Sequence, residues 1–174
     1  MPPSYTLFNN MKKLLFFIAL IITAGCIRAQ NSTPPPVIPP YHILTTDSVY
    51  ITPKNLKPHK PVMVIYFAPD CSHCQHLMME MKPKMKEFNK VQVIMITFVE
   101  QLAAIKTFYR DFDLAKYPNF IVGTEGYSYL VQKYYNLKST PYIALYNKNG
   151  KLANFYEKPP KIEQLVAEVK KLNK

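Results

Sequence analysis

The chain has 174 residues, which suggests one domain with extensions rather than two domains. Hydrophobic residues make up 48% of it, enough to bury a core and to exclude a globally disordered chain. The formal net charge is +11, but the lysines are scattered or lie on helical faces such as Lys82, Lys84, Lys86 and Lys90. That pattern reads as a solvated basic face, not a nucleic-acid interface; attraction to an anionic membrane surface or to acidic partners stays open.

Residues 1–29 read as a secretory signal. Met11-Lys12-Lys13 forms a short positive region, Leu14 to Ile22 is an unbroken apolar run, and Ala29 precedes Gln30 at a cleavage point. The run falls short of the roughly 20 apolar residues a spanning helix needs. Met1–Asn10 fits no such region, so Met11 is an alternative start. Thr23-Ala24-Gly25-Cys26 resembles a lipoprotein cleavage box whose cysteine becomes lipidated, although Thr23 stands where that pattern usually has leucine. The alternative is a cysteine lost with the signal. Either way the mature chain keeps two free cysteines, Cys71 and Cys74. Export would place them in the periplasm or envelope, an oxidising or contested compartment.

Residues 30–40 contain five prolines and read as an extended polyproline spacer. A domain then runs over 41–174. Tyr41–Leu44 and Ser48–Thr52 form a plausible hairpin around Thr46-Asp47. Val62–Phe67 is a continuous apolar run, as expected of a strand buried on both faces, and Val91–Phe98 is a second. Between them Leu77, Met78, Met81, Met85 and Phe88 recur at helical spacing, with Pro83 expected to kink or break the helix. Strand, helix and strand in this order make a βαβ unit with parallel strands. Leu102, Ile105, Phe108, Tyr109 and Phe112 mark another helix, and Phe120–Val122 a short strand or extended link. Leu130, Val131, Tyr134 and Tyr135 suggest a further helix. Tyr142–Tyr146 and Leu152–Tyr156 flank the turn Asn147-Lys148-Asn149-Gly150. Ile162, Leu165, Val166, Val169 and Leu172 give a last amphipathic helix after Pro159-Pro160.

Cys71-Ser72-His73-Cys74 stands where a buried strand ends and a helix begins. A disulfide across so small a loop gains little stability, which points to chemistry rather than stapling. A helix N-terminus carries partial positive charge and free N–H groups, which lower a thiol's pKa there. Only the thiolate attacks a disulfide. Cys71, at the exposed end, is the expected nucleophile; Cys74, one turn deeper, can attack the resulting mixed disulfide. His73, when protonated, would add positive charge beside Cys71.

The run from Val64 to Cys74 resembles the strand and active-site turn of thioredoxin-like proteins, and Tyr135 to Leu145 resembles the segment carrying their cis-proline. The resemblance covers residues 41–174. It implies a three-layer α/β fold, a central mixed sheet with helices on both faces, here with an N-terminal β-hairpin extension. It also implies that Pro141 lies against the cysteine pair and that Thr140 meets the substrate backbone. The strands before Val62 and the insert between Phe98 and Tyr127 are similar to the exported TlpA/ResA-like branch. Two departures stand out. Ile65 replaces the buried acid that thioredoxins place six residues before the first cysteine, and Leu77 replaces the glutamate that ResA-like proteins often have six residues after it.

The resulting expectation is an exported dithiol/disulfide exchanger with no cofactor. It would act on protein thiols and disulfides, be served by an upstream redox partner protein, and touch the membrane only through lipid on Cys26. Rival readings are a peroxiredoxin-type peroxidase, for which Arg110 is the only arginine left after residue 29, and a redox-inactive binding protein of the same fold. A third is a zinc or copper module using Cys71, Cys74 and His76, completed by His42 or His59. The remaining histidine and methionines read as ordinary structure: His76 as a surface residue otherwise, and Met78, Met79, Met81 and Met85 as core filling and groove lining.

Overall fold

A computed structural model describes residues 34–173; the expected signal, the Met11 start and Cys26 lie outside the described residues. Seven strands form one sheet: β1 (Ile43–Thr45), β2 (Tyr50–Ile51), β3 (Val62–Tyr66), β4 (Gln92–Thr97), β5 (Phe120–Thr124), β6 (Tyr142–Tyr146) and β7 (Leu152–Tyr156). Their order across the sheet is β2-β1-β5-β4-β3-β6-β7. β3, β4 and β5 run parallel, and β6, β7, β1 and β2 are added antiparallel to their neighbours. β3 is central, with Tyr66 opposite Ile96 on one side and Tyr142 on the other. Burial on both faces accounts for its unbroken apolar sequence.

Among the described residues four α-helices cover the sheet: α1 (Ser72–Met81), α2 (Leu102–Asp111), α3 (Leu130–Tyr135) and α4 (Ile162–Leu172). The alternation of side chains along the strands divides the core in two. One face gathers Met63, Ile65, Phe67, Val93, Met95, Ile143 and Leu145 under α1, α2 and α4. The other gathers Val64, Tyr66, Ile94, Ile96, Tyr142, Ala144 and Tyr146 under α3 and the segment around Tyr41. This is the expected three-layer arrangement, with the N-terminal hairpin at the β1–β2 edge. Pro34–Lys174 forms one compact unit of the chain, and both cores lie within it.

Pro83 acts as expected. The α-helix stops at Met81 and a 3-10 helix, Lys82–Phe88, carries Met85 and Phe88 onward into the core. Met79 departs from its expected role: it faces solvent, while Met78, Met81 and Met85 are buried. β5 is longer than its apolar letters suggest, because Gly123 and Thr124 continue the pairing with Ile96 and Thr97. At Gly123 an added Cβ would meet the Leu44 carbonyl oxygen at 2.7 Å, so the close approach of β1 requires glycine there.

The proline-rich stretch is not a free spacer throughout. From Pro34 onward it runs along the start of β7: Val37 bridges Lys151, Leu152 N–H donates to the Pro36 carbonyl at 2.8 Å, and the Tyr134 hydroxyl donates to the Val37 carbonyl at 2.7 Å. Pro34 and Pro39 are buried against the domain. No helix among the described residues is long and apolar enough to cross a membrane.

Candidate active site

β3 delivers the chain to the site. Phe67 adds one more bond to the parallel ladder, from its N–H to the Ile96 carbonyl at 2.9 Å, and the chain then turns, with Cys71 N–H donating to the Ala68 carbonyl at 3.1 Å. The Gln75 side chain donates to the Pro69 carbonyl at 2.9 Å and ties that turn to the first turn of α1. Cys71 is the N-cap residue of α1, in extended conformation, with its carbonyl already accepting from Gln75 N–H. No side chain caps the helix, so its first N–H groups are free to face the Cys71 sulfur. Cys74, one turn along, is 1% exposed and belongs to the apolar cluster of Ile65, Phe67, Leu77 and Met78. Both cysteines are free thiols.

The segment before β6 closes the other side. α3 ends at Asn136, whose left-handed backbone turns the chain back toward the sheet, and Leu137 N–H donates to the Gln132 carbonyl. Residues 138–140 then lead into the cis peptide bond Thr140–Pro141. The Cys71 Sγ donates to the Thr140 carbonyl oxygen at 3.5 Å, so two segments 69 residues apart in sequence meet at the thiol. The structure thus brings together Cys71, Cys74, Thr140 and the neighbouring Pro141.

The two thiols are driven in opposite directions. Partial burial pulls the Cys71 pKa up. The Thr140 side chain, the Cys74 thiol and the backbone N–H groups of Cys74 and His73 outweigh it, and the net shift is downward. Deeper burial dominates at Cys74 and pushes its thiol up to about 12. The arrangement can therefore hold a ready nucleophile at the surface and a protonated thiol behind it.

Other expected residues fall elsewhere. The His73 side chain is exposed, and His73 reaches Cys71 through its backbone N–H. His76 stands on the surface beside Glu80, 3.7 Å away. Among the described residues no group of three or more His, Cys, Asp or Glu side chains converges, so Cys71, Cys74 and His76 are not completed by His42 or His59. The Arg110 guanidinium binds Asp111 at the surface, at 2.9 Å. Ile65, fully buried, leaves the core around Cys74 without a carboxylate. Among the described residues the buried acid is Glu125, only 6% exposed, on the opposite face beside Tyr66. Sequence reasoning missed it; the one available signal was an acid directly following an apolar strand.

A family model of thioredoxin-like domains matches residues 53–170. None of the curated proteins matches this sequence. Solved structures similar in fold include a secreted Mycobacterium tuberculosis disulfide oxidoreductase homologous to E. coli DsbE (17% identity, 76% of this chain and 96% of that one, TM-score 0.64). A thiol-disulfide oxidoreductase from Bacteroides fragilis is similar at 17% identity, over 78% of this chain and 98% of that one, with TM-score 0.64. A peroxiredoxin-like protein from Aquifex aeolicus is similar at 18% identity, over 80% and 86%, with TM-score 0.63. With its family model covering most of the folded part, this chain belongs to the thioredoxin-like domain family.

Proposed function

We propose that this chain is an exported thiol–disulfide oxidoreductase of the TlpA/ResA-like kind, exchanging disulfides with protein partners through Cys71 and Cys74. The observation that carries the reading is the asymmetry of the two thiols: Cys71 shifted down at a helix N-terminus, Cys74 buried and shifted up to about 12. In the reducing direction the Cys71 thiolate attacks one sulfur of a substrate disulfide. A Cys71–substrate bond forms, and the other substrate sulfur leaves as a thiolate. Cys74 then gives up its proton and attacks the Cys71 sulfur. This forms the Cys71–Cys74 disulfide and expels the second substrate thiolate, so two electrons have passed to the substrate. A partner dithiol restores the pair by the same steps in reverse.

The core around Cys74 supplies no carboxylate, so the reaction itself must supply an acceptor for the Cys74 proton. Part of what holds the Cys74 thiol up is the charge of Cys71 and the hydrogen bond to it. Both vanish once Cys71 is tied in a mixed disulfide, so Cys74 ionises more easily at the moment it must act. The departing substrate thiolate is the acceptor these steps supply. Thr140 and Pro141 shape the groove in which the substrate disulfide approaches Cys71.

Single substitutions test the assignment. Cys71→Ser abolishes reduction of insulin by dithiothreitol-fed protein. Cys74→Ser leaves mixed disulfides with substrate that resolve only on added thiol, read by non-reducing electrophoresis. Unimpaired turnover in both variants rejects the proposal.

A further inference from the structure

The pole that holds Cys71 also carries an aromatic surface that the thiol chemistry does not use. Because β3, β4 and β5 are parallel, their C-terminal ends lie together, and Tyr142, the first residue of β6, stands opposite Tyr66 at the same end. Beyond these ends Phe98, Tyr127 and Leu130 are exposed. Phe98, Tyr129 and Leu137 form the apolar part of a groove of about 530 Å³, and Gln132, Lys133 and Asn136 form its polar part. The rings lie in series. Buried Tyr66 stacks against Phe98 at 6.4 Å between centres, Phe98 meets Tyr129 at 6.4 Å, and Tyr129 meets Tyr127 at 6.2 Å.

Tyr129 is held in a conformation that favours glycine. Its backbone is left-handed, with φ at 50°, where a bulky side chain is strained and glycine is not. It is the N-cap residue of α3, yet its side chain makes no capping hydrogen bond. Local structure therefore gives no reason for a tyrosine at this position, whereas the groove does, since the ring is one of its walls. Strain retained beside a concave surface is a mark of a ligand clamp.

Both walls of the groove lead to the reactive thiol. Leu137 precedes Thr140 by three residues, at most roughly 11 Å of extended chain, and the Thr140 carbonyl accepts from the Cys71 Sγ at 3.5 Å. On the other side Phe98 follows Ile96, whose carbonyl accepts from Phe67 N–H where the chain leaves β3 for Cys71. A polypeptide whose sulfur meets Cys71 advances about 3.3 Å per residue in extended form, so a side chain within about four residues of that sulfur reaches the groove. The ring wall suits an aromatic side chain, and the amides of Gln132 and Asn136 suit the polar backbone that carries it.

We propose that this groove selects substrate polypeptides with an aromatic side chain within about four residues of the reacting cysteine. The inference rests on the redox reading of Cys71 and Cys74 and names the substrate class of that site.

The chain contains no tryptophan, so tryptophan in a peptide reports its own binding. The probes are unstructured peptides with one cysteine, held as its glutathione mixed disulfide, and tryptophan four positions before or after it; companion peptides carry alanine in place of tryptophan. The reduced full chain prefers a tryptophan peptide over its companion by about tenfold in kcat/KM. Tyr129→Gly, which suits the left-handed backbone, brings the ratio close to one, and Phe98→Ala lowers it. Tyr50→Ala, which removes an exposed ring from the β2 edge, leaves the ratio unchanged. A second arm needs no thiol chemistry: with Cys71→Ser/Cys74→Ser the peptide emission shifts to the blue on binding, and adding Tyr129→Gly removes the shift. Reduction of neither peptide with the shift present rejects the redox reading alone. Equal kcat/KM for both peptides overturns the groove and leaves the redox reading intact. Absence of the shift, an unchanged ratio in Tyr129→Gly, or binding of N-acetyltryptophanamide as tight as that of the peptide also overturns it; the last assigns the groove to small aromatic molecules.

Discussion

The two faces of the sheet are packed with different chemistry, although they share the same strands. Under α1, α2 and α4 the buried side chains include Met63, Met78, Met81, Met85 and Met95 with Phe67, Phe88, Phe108 and Phe120, and no buried tyrosine. Phe67, Phe108 and Phe112 pack in sequence with tilted rings, 4.7 Å between ring centres. The opposite face buries Tyr41, Tyr66, Tyr135, Tyr142 and Tyr146, with no buried methionine. Its hydroxyls are partly paired, Tyr135 with Tyr146 and Tyr66 with Glu125. Glu125 also accepts from the N–H groups of Val131 and Gln132 at the start of α3. The contrast shows how a fold can keep one buried thiol protonated while still burying a carboxylate. Cys74 lies on the methionine face, the dry one, where hydrogen bonds from the Ala68 backbone and the Thr140 side chain fall short of its desolvation. Glu125 lies on the phenolic face, where three donors compensate its burial.

The largest effect expected from this contrast is in thiol reactivity. At pH 8 iodoacetamide alkylates Cys71 faster than Cys74 by about 1,000-fold or more, since only thiolate reacts and Cys74 ionises near about 12. Mass-spectrometric mapping of the reduced protein measures the ratio; comparable rates would show that the methionine face is not dry. The pH dependence of stability follows with a definite sign. A thiol raised by folding favours the folded state below its unfolded pKa, near about 8.5. Cys74 therefore withdraws its contribution as pH rises from there toward about 12.

Next in size is the phenolic face. Glu125→Ala leaves the Tyr66 hydroxyl and two helix N–H groups without their acceptor. It should destabilise the domain by about 2–4 kcal/mol in urea unfolding. Glu125→Gln, which keeps an acceptor oxygen, costs less. Activity per folded molecule stays within a few-fold, because the carboxylate is on the side away from Cys74; a large loss of turnover at full folding would erase the distinction between the faces.

The smallest effect concerns redox poise. His73→Pro removes a backbone N–H that favours the Cys71 thiolate, and Pro is tolerated in the first helical turn. The couple should become more reducing by about 10–30 mV against glutathione. His73→Ala keeps that N–H and should shift it less. Equal shifts would assign the effect to the imidazole instead.

The site was legible from sequence because its parts are local. Cys71, Cys74 and the strand before them are contiguous, and Pro141 precedes a strand of five buried residues. Whatever depends on pairing across the sheet was not legible. Gly123 and Thr124 look like a turn, yet they finish β5 because β1 lies beside them, a contact set by residues about 80 positions earlier. The insert between Phe98 and Tyr127 holds α2 and β5, and β5 is an interior strand, not an appendage. His73 is a mixed case. Its side chain draws attention by chemistry, and the contact the structure shows with Cys71 is through its backbone N–H. Met79 follows the composition of its neighbours but falls on the solvent side of α1.

The proline strap along β7 has a consequence for assembly. A strand at the rim of a sheet is a template on which another chain can crystallise, and growth continues only if each added strand offers donors to the next. Here the added segment contains Pro34, Pro35, Pro36, Pro39 and Pro40, none of which has an N–H to give. Along the stretch it covers, the sheet is terminated by a segment that can accept but scarcely donate, a chain stopper carried in the same polypeptide as the template it blocks.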